Sequence, residues 1–247
     1  MIERNGRRVG VLVPQGNVMH ELEFATLRPA GVAFRFEAFA YPAAGTVDFC
    51  KGLSLQMAEP LTRLKDWGAE AVLVGCTTAS MSCAHPSFVR ALQSEVDVPI
   101  VTAAQASRSA CAALGLRSLA VATPYGQPNN RIVADFLRSA LIGVVSIQGL
   151  GLDATPQLWK EQALRLTSAD FLAFSRRVDV PAAQGIYLPC TGVPSIAIID
   201  ALELSVGKPV LSSVQAGFWA VLNQLGVRAR SNVGGHLLRH WPDWPLS

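Results

Sequence analysis

The sequence predicts an α/β protein of two similar lobes, each built on a parallel sheet, related by a pseudo-two-fold axis and separated by a cleft. Three observations carry this. Short apolar, β-branched runs alternate with longer helical patterns along the 247 residues. The strand runs are almost continuously apolar, the pattern of parallel strands buried on both faces. The chain also repeats itself at about half its length. Val13-Pro-Gln-Gly16 returns as Thr123-Pro-Tyr-Gly126, Val98-Pro99-Ile-Val101 as Lys208-Pro209-Val-Leu211, and Gln105-Ala106 as Gln215-Ala216, each displaced by 110 residues. Ala71-Val-Leu-Val-Gly-Cys76-Thr77 and Gly185-Ile-Tyr-Leu-Pro-Cys190-Thr191 are likewise one motif written twice. Repeats of about 20 to 50 residues build solenoids, whereas a repeat of half the chain is a duplicated domain.

In chain order, residues 8–13 read as the first strand and 19–27 as the helix that follows it. Residues 32–39 form the next strand, and 53–67 a helix with Leu53, Met57, Leu61 and Leu64 on one face. Strands at 71–74 and 99–101 are joined by a helix at 88–95, and a helix at 103–114 closes the first repeat. The second repeat runs in parallel. Its strands fall at 119–122, 144–150, 186–188 and 210–211, and its helices at 130–141, 158–166, 169–178, 196–204 and 216–225. Gly31, Gly68, Gly115, Gly143, Gly207 and Gly226 sit where helices should stop. Residues 1–116 are expected to form the first lobe, completed by 213–247, and 117–212 the second. The tail at 228–247 carries Trp241 and Trp244, and is expected to pack across the other lobe or a subunit interface, which favours a homodimer or homotetramer.

Composition narrows the function. Half of the residues are apolar, 16% are charged and the net charge is +3, with lysines and arginines scattered. Without a basic run interleaved with aromatics, nucleic acid is not the expected partner. The mild positive balance suits a small anion. The opening residues contain no apolar signal core, and no stretch approaches the roughly 18 apolar residues of a membrane span. Five cysteines without CxxC spacing do not read as a disulfide framework, so a reduced, cytoplasmic protein is expected.

Ligands of open parallel sheets bind beyond the carboxyl ends of the strands. Cys76 and Cys190 stand there, at equivalent points of the duplication, so each lobe brings one thiol to the shared cleft. The unpaired N–H groups of the following helix are expected to lower their pKa below the free value of about 8.5. Two thiols across one pocket can add a proton on one face of a carbon and remove it from the other. The turns at Pro14-Gln15-Gly16-Asn17 and Pro124-Tyr125-Gly126 should rim the same cleft, with the Asn17 amide and the Tyr125 hydroxyl as donors to a carboxylate. Thr77, Thr78, Thr191 and the Gly192 backbone add further donors, and Ser212 and Ser213 are weaker candidates. Phe39, Tyr41, Val47 and residues near Asp153 are expected to set the pocket's width. Cys50, Cys83 and Cys111 have no counterpart in the other repeat and read as structural; His20, His85, His236 and His240 lack metal-ligand spacing and read as surface or loop residues. Neither a dinucleotide fingerprint nor a Walker A motif is present.

In this order, Val-Pro with Asn17, Gly-Cys76-Thr-Thr, Ala122-Thr-Pro-Tyr125, Leu-Pro-Cys190-Thr-Gly and Ser212-Ser-Val-Gln-Ala-Gly-Phe-Trp219 resemble the aspartate/glutamate racemase superfamily. Within it the chain is most similar to the branch of maleate cis–trans isomerases and arylmalonate decarboxylases. The resemblance implies two Rossmann-like lobes, no cofactor and no metal. Decarboxylases of that branch keep the second cysteine and carry glycine at the position of Cys76. Amino-acid racemases show Cys-Asn-Thr at the first cysteine, where this chain reads Cys76-Thr-Thr78. Maleate isomerases have both cysteines with the asparagine and tyrosine seen here, although their first turn more often reads Pro-Ser-Ser-Asn. The expected function is therefore a cofactor-independent cis–trans isomerase of a small dicarboxylic acid, with Cys76 and Cys190 catalytic and Pro14, Asn17, Thr77, Thr78, Tyr125, Thr191 and Gly192 binding substrate. The alternatives are racemisation or decarboxylation through an enediolate and, in another class, a non-catalytic binding protein for small acids.

Overall fold

A computed structural model describes residues 6–43, 45–152 and 156–244, and for 156–160 the backbone alone. The duplication appears as two four-stranded parallel sheets of identical order. In the first, β1 (Arg7–Pro14), β2 (Val32–Phe39), β3 (Ala71–Val74) and β4 (Ile100–Thr102) lie in the order β2-β1-β3-β4. In the second, β5 (Ser118–Thr123), β6 (Gly143–Gly149), β7 (Gly185–Leu188) and β8 (Val210–Ser212) lie in the order β6-β5-β7-β8. The strands that end in the two cysteines occupy equivalent places: Val11 pairs with Leu73 of β3, and Val121 with Tyr187 of β7. Both β3 and β7 are buried at every residue, as continuously apolar parallel strands require.

The helices of the first repeat are α1 (Met19–Leu27), α2 (Phe49–Trp67), α3 (Thr77–Ser82), α4 (Pro86–Gln93) and α5 (Ala103–Ala113). Those of the second are α6 (Gln127–Ser139), α7 (Pro156–Arg165), α8 (Ser168–Arg176), α9 (Ile196–Val206) and α10 (Ser213–Gln224), followed by α11 (Gly235–His240). The predicted face of α2 is buried without exception at Leu53, Met57, Leu61 and Leu64. This helix starts a turn earlier than its apolar pattern, because Asp48 accepts a hydrogen bond from the Lys51 N–H, and it stops at Gly68 in the left-handed region. The repeated Gln105 and Gln215 have one physical role. Each completes a capping box, with Thr102 on α5 and with Ser212 on α10. Helices α3 and α11, six residues each, were not expected, since neither spans enough turns to show a period.

The last helix of each repeat packs next to the other repeat's sheet. On α10, Gly217 lies so close to Leu73 of β3 that a methyl group there would stand 2.9 Å from a leucine carbon. On α5, the Ser107 hydroxyl is 2.8 Å from that of Tyr187 on β7, which is also 2.8 Å from that of Ser213. One hydrophobic core therefore runs through both lobes, from Val11 and Leu73 to Leu119, Tyr187 and Phe218. The tryptophan-rich tail folds onto its own chain. Trp241 is buried edge-on to Phe218, and the Trp219 indole N–H on α10 donates to the Pro242 carbonyl, with the Trp244 ring 5.2 Å away. Trp241 is thus covered from within, while Trp244 is only partly buried. Among the described residues no helix is long and apolar enough to cross a membrane.

The cysteines correct one expectation. Cys50, in the first turn of α2, forms a disulfide with Cys83 at the end of α3, with Cα atoms 5.6 Å apart. A separation of 33 residues and no CxxC spacing concealed this pair; it forms because both helix ends converge at the carboxyl edge of the first sheet. The expectation of a fully reduced chain does not hold for these two. Replacing both by serine is expected to lower the unfolding free energy by about 2 to 4 kcal/mol, through the freedom returned to the unfolded loop. Denaturant melts without reductant measure this, and an unchanged midpoint would mean that the bridge contributes nothing.

Candidate active site

The carboxyl ends of β1, β3, β5 and β7 open into one cavity of about 1060 Å³. Pro14, Asn17, Cys76, Thr77 and Thr78 reach it from the first lobe, and Tyr125, Cys190, Thr191 and Gly192 from the second. Every residue expected to bind or react thus stands on a single wall system, and among the described residues that wall carries no charged side chain. Phe49, Ile132, Leu152 and Leu164 add apolar lining to it. Phe39 and Tyr41 line the cavity as expected. Val47 does not; it is fully exposed, and Asp153 lies outside the described residues.

Both thiols are 4% exposed. Cys76 caps α3 with its sulfur 3.0 Å from the Tyr41 hydroxyl, and the Thr78 side chain and the backbone N–H groups of Thr78 and Ala79 also favour its thiolate. Cys190 accepts the Gly192 N–H at 3.2 Å and a hydrogen bond from Tyr125. The expected lowering of the thiol pKa is nevertheless reversed. Burial pushes Cys76 up and Cys190 up to about 12, since removing a thiolate from water costs more than the nearby donors return. Burial likewise holds Tyr125 well above the usual phenol range.

The remaining groups knit the lobes together around these sulfurs. Asn17 donates from Nδ2 to Thr191 Oγ1 at 3.1 Å, and Thr191 donates on to the Gly75 carbonyl at 2.9 Å, immediately before Cys76. Asn17 Oδ1 accepts the His20 N–H at the start of α1. The buried Thr77 hydroxyl has no hydrogen-bond partner among the described residues, and Thr77 lines the cavity. Gly149 is dictated by the Tyr125 turn, because a methyl group there would collide with the Tyr125 carbonyl at 2.0 Å.

Three expectations need correction or extension. His20 is not a surface residue. It is fully buried beside Phe24 and against Gly75, where a methyl group would meet its ring at 2.4 Å, and burial lowers its pKa to about 4. The other three histidines keep surface positions: His85 caps α4, and His236 and the exposed His240 stack on each other within α11. Ser212 and Ser213 do not reach the cavity; Ser212 caps α10 and its hydroxyl is 3.1 Å from that of Ser195, while Ser213 bonds Tyr187. Glu23, which the sequence did not single out, crosses from α1 to the second lobe and accepts from the Ser195 N–H and hydroxyl at 2.6 Å each and from the Ile196 N–H at 2.7 Å. It therefore caps the start of α9 across the lobe boundary, and burial raises its pKa to about 7. Its only signal was a carboxylate on the helix face that also carries Phe24 and Leu27. Among the described residues no cluster of three or more His, Cys, Asp or Glu side chains could hold a metal ion.

Fold and site together define a duplicated parallel α/β protein that delivers one strand-end cysteine from each half to a shared cavity. The family model for arylmalonate decarboxylase matches residues 9–238, and the chain belongs to that family. Among curated proteins it is 27% identical over 175 residues to an arylmalonate decarboxylase of Bordetella bronchiseptica, covering 70% of this chain and 72% of that one. It is 24% identical over 247 residues to a maleate isomerase of Alcaligenes faecalis, covering 94% and 96%. The crystal structure of the maleate isomerase Iso from Pseudomonas putida S16 superposes with a TM-score of 0.82 at 25% identity, over 95% of this chain and 99% of that one.

Proposed function

We propose that this chain is a cysteine-based cis–trans isomerase of a small dicarboxylic acid, with maleate as the model substrate. The observation that carries the reading is the pair of thiols, one from each lobe, opening to the same cavity. Cys76 as thiolate adds to one alkene carbon, and the Cys190 thiol protonates the adjacent carbon. The bond between those carbons is then single and rotates. Cys190 takes a proton back from its carbon, the bond to Cys76 sulfur breaks, and fumarate leaves with the Cys76 thiolate restored. The upward shift of Cys190 to about 12 suits its role as the acid, whereas Cys76, also raised by burial, is the sulfur that Tyr41, the Thr78 side chain and two backbone N–H groups favour as thiolate. Thr77, Thr78, Tyr125, Asn17, Thr191 and the Gly192 backbone hold the carboxylates and the enediolate-like charge with neutral donors, and Pro14 shapes the rim. The similarity to maleate isomerases over nearly the whole chain supports the same reading.

A second reading has its own observation. The cavity is far roomier than a four-carbon diacid requires, and its apolar lining leaves space for a substituent. An enediolate formed by decarboxylation or α-proton removal, protonated by Cys190, fits that space. Incubating the protein with maleate, aspartate, glutamate and phenylmalonate in deuterium oxide, followed by proton NMR, decides between them. The expected result is conversion of maleate to fumarate. Inert maleate with deuterium entering the α-position of an amino acid, or with loss of carbon dioxide from phenylmalonate, would replace the isomerase by the second reading.

A further inference from the structure

Cys190 has a tyrosine partner in Tyr125, and the duplication would place the equivalent partner of Cys76 at Gln15. The structure fills the role from elsewhere. Tyr41, just past the end of β2, reaches back so that its hydroxyl stands 3.0 Å from Cys76 Sγ, and it also interacts with Thr78. Its ring is held in place, stacked on Phe49 at 6.5 Å and edge-on to Phe39 at 6.0 Å. Tyr41 is 44% exposed whereas Cys76 is 4% exposed, so its ring stands at the cavity mouth with the hydroxyl turned inward.

We propose that Tyr41 is a further catalytic residue, whose phenolic hydroxyl donates a hydrogen bond to the Cys76 thiolate and thereby sets the reactivity of that sulfur. The proposal rests on Cys76 being a reacting thiol. When Cys76 is a thiol, either atom can be the donor; once it is a thiolate, only the phenol has a proton to give. A bond that strengthens on ionisation favours the charged form and opposes the effect of burial at this position. The ionisable groups that interact with Cys76 are Tyr41 from the β2 turn, Tyr125 from the β5 turn and Cys190 from the β7 turn. Of these, Tyr41 bonds the Cys76 sulfur while Tyr125 bonds that of Cys190, so the two thiols are tuned by separate phenols at inequivalent positions of the repeat.

Tyr41→Phe keeps the ring and its stacking and removes the donor. In a Cys190→Ser background, the rate of Cys76 alkylation by iodoacetamide is followed against pH, with the modified peptide assigned by mass spectrometry. The midpoint is expected to rise by about one pH unit, which is about a tenfold loss of thiolate at a fixed pH. In the otherwise unchanged protein, kcat should fall by about tenfold with KM within about twofold. An unmoved alkylation midpoint overturns the proposal, and a raised KM accompanying it would make Tyr41 a residue that shapes the cavity mouth. Because alkylation is read without substrate, a shifted midpoint upholds the proposal even if maleate proves inert.

Discussion

Replacing either Cys76 or Cys190 by serine is expected to lower the isomerisation rate by about a thousandfold or more while the protein stays folded. The side chains are nearly the same size, so core packing around 4%-exposed positions is retained. The chemistry is not. A serine hydroxyl is far less acidic than a thiol, cannot form the anion that adds to the alkene and is a poor proton donor to carbon. Residues that act as a unit lose nearly everything when either is removed, so the two single variants and the double variant should be similarly inactive. The vinyl proton signals of maleate and fumarate report the rate, and a thermal melt reports the fold. If both variants turn over normally, the pairing and the reaction class are wrong. If Cys76→Ser retains isomerisation while Cys190→Ser loses it, sulfur addition by Cys76 is not part of the reaction and Cys190 carries it alone.

Tyr125→Phe is expected to reduce turnover by about a hundredfold, the usual cost of removing one donor from a developing oxyanion. The ring is 6% exposed and packed at the end of β5, and phenylalanine keeps that packing. What is lost is the hydroxyl that bonds Cys190 and faces the cavity. The loss should appear in kcat, with KM changed little and the melting temperature within a few degrees of the parent. An unchanged rate with an altered melting temperature would make Tyr125 a structural turn residue.

The strand-end cysteine motif was legible because it is local. A strand of four apolar residues ending in Cys-Thr, written twice, states both where the strand lies and that its cysteine sits at the carboxyl end. The shared order of the two sheets follows from the same repetition, and the capping glutamines 105 and 215 mark the same helix start in each copy. Hydrophobic period, strand ends and caps are properties of a few consecutive residues, and a duplication tells the reader that they recur in the same setting.

Partnerships between distant residues were not legible. The bridge from Cys50 to Cys83, the reach of Tyr41 to Cys76, and Glu23 capping a helix of the other lobe all depend on how elements converge. The state of the thiols belongs here too. Reading outward from a helix start implied a lowered pKa, but the sign is set by how much water the surrounding fold removes, and burial wins at both sulfurs. The fold, the duplication and the choice of two cysteines are therefore written in the order of the residues, because backbone propensity and apolar spacing act over a few positions. Which groups touch those cysteines, and how strongly burial opposes their ionisation, was decided only by the tertiary packing of elements distant in the chain, because hydrogen bonding and desolvation depend on distance in space.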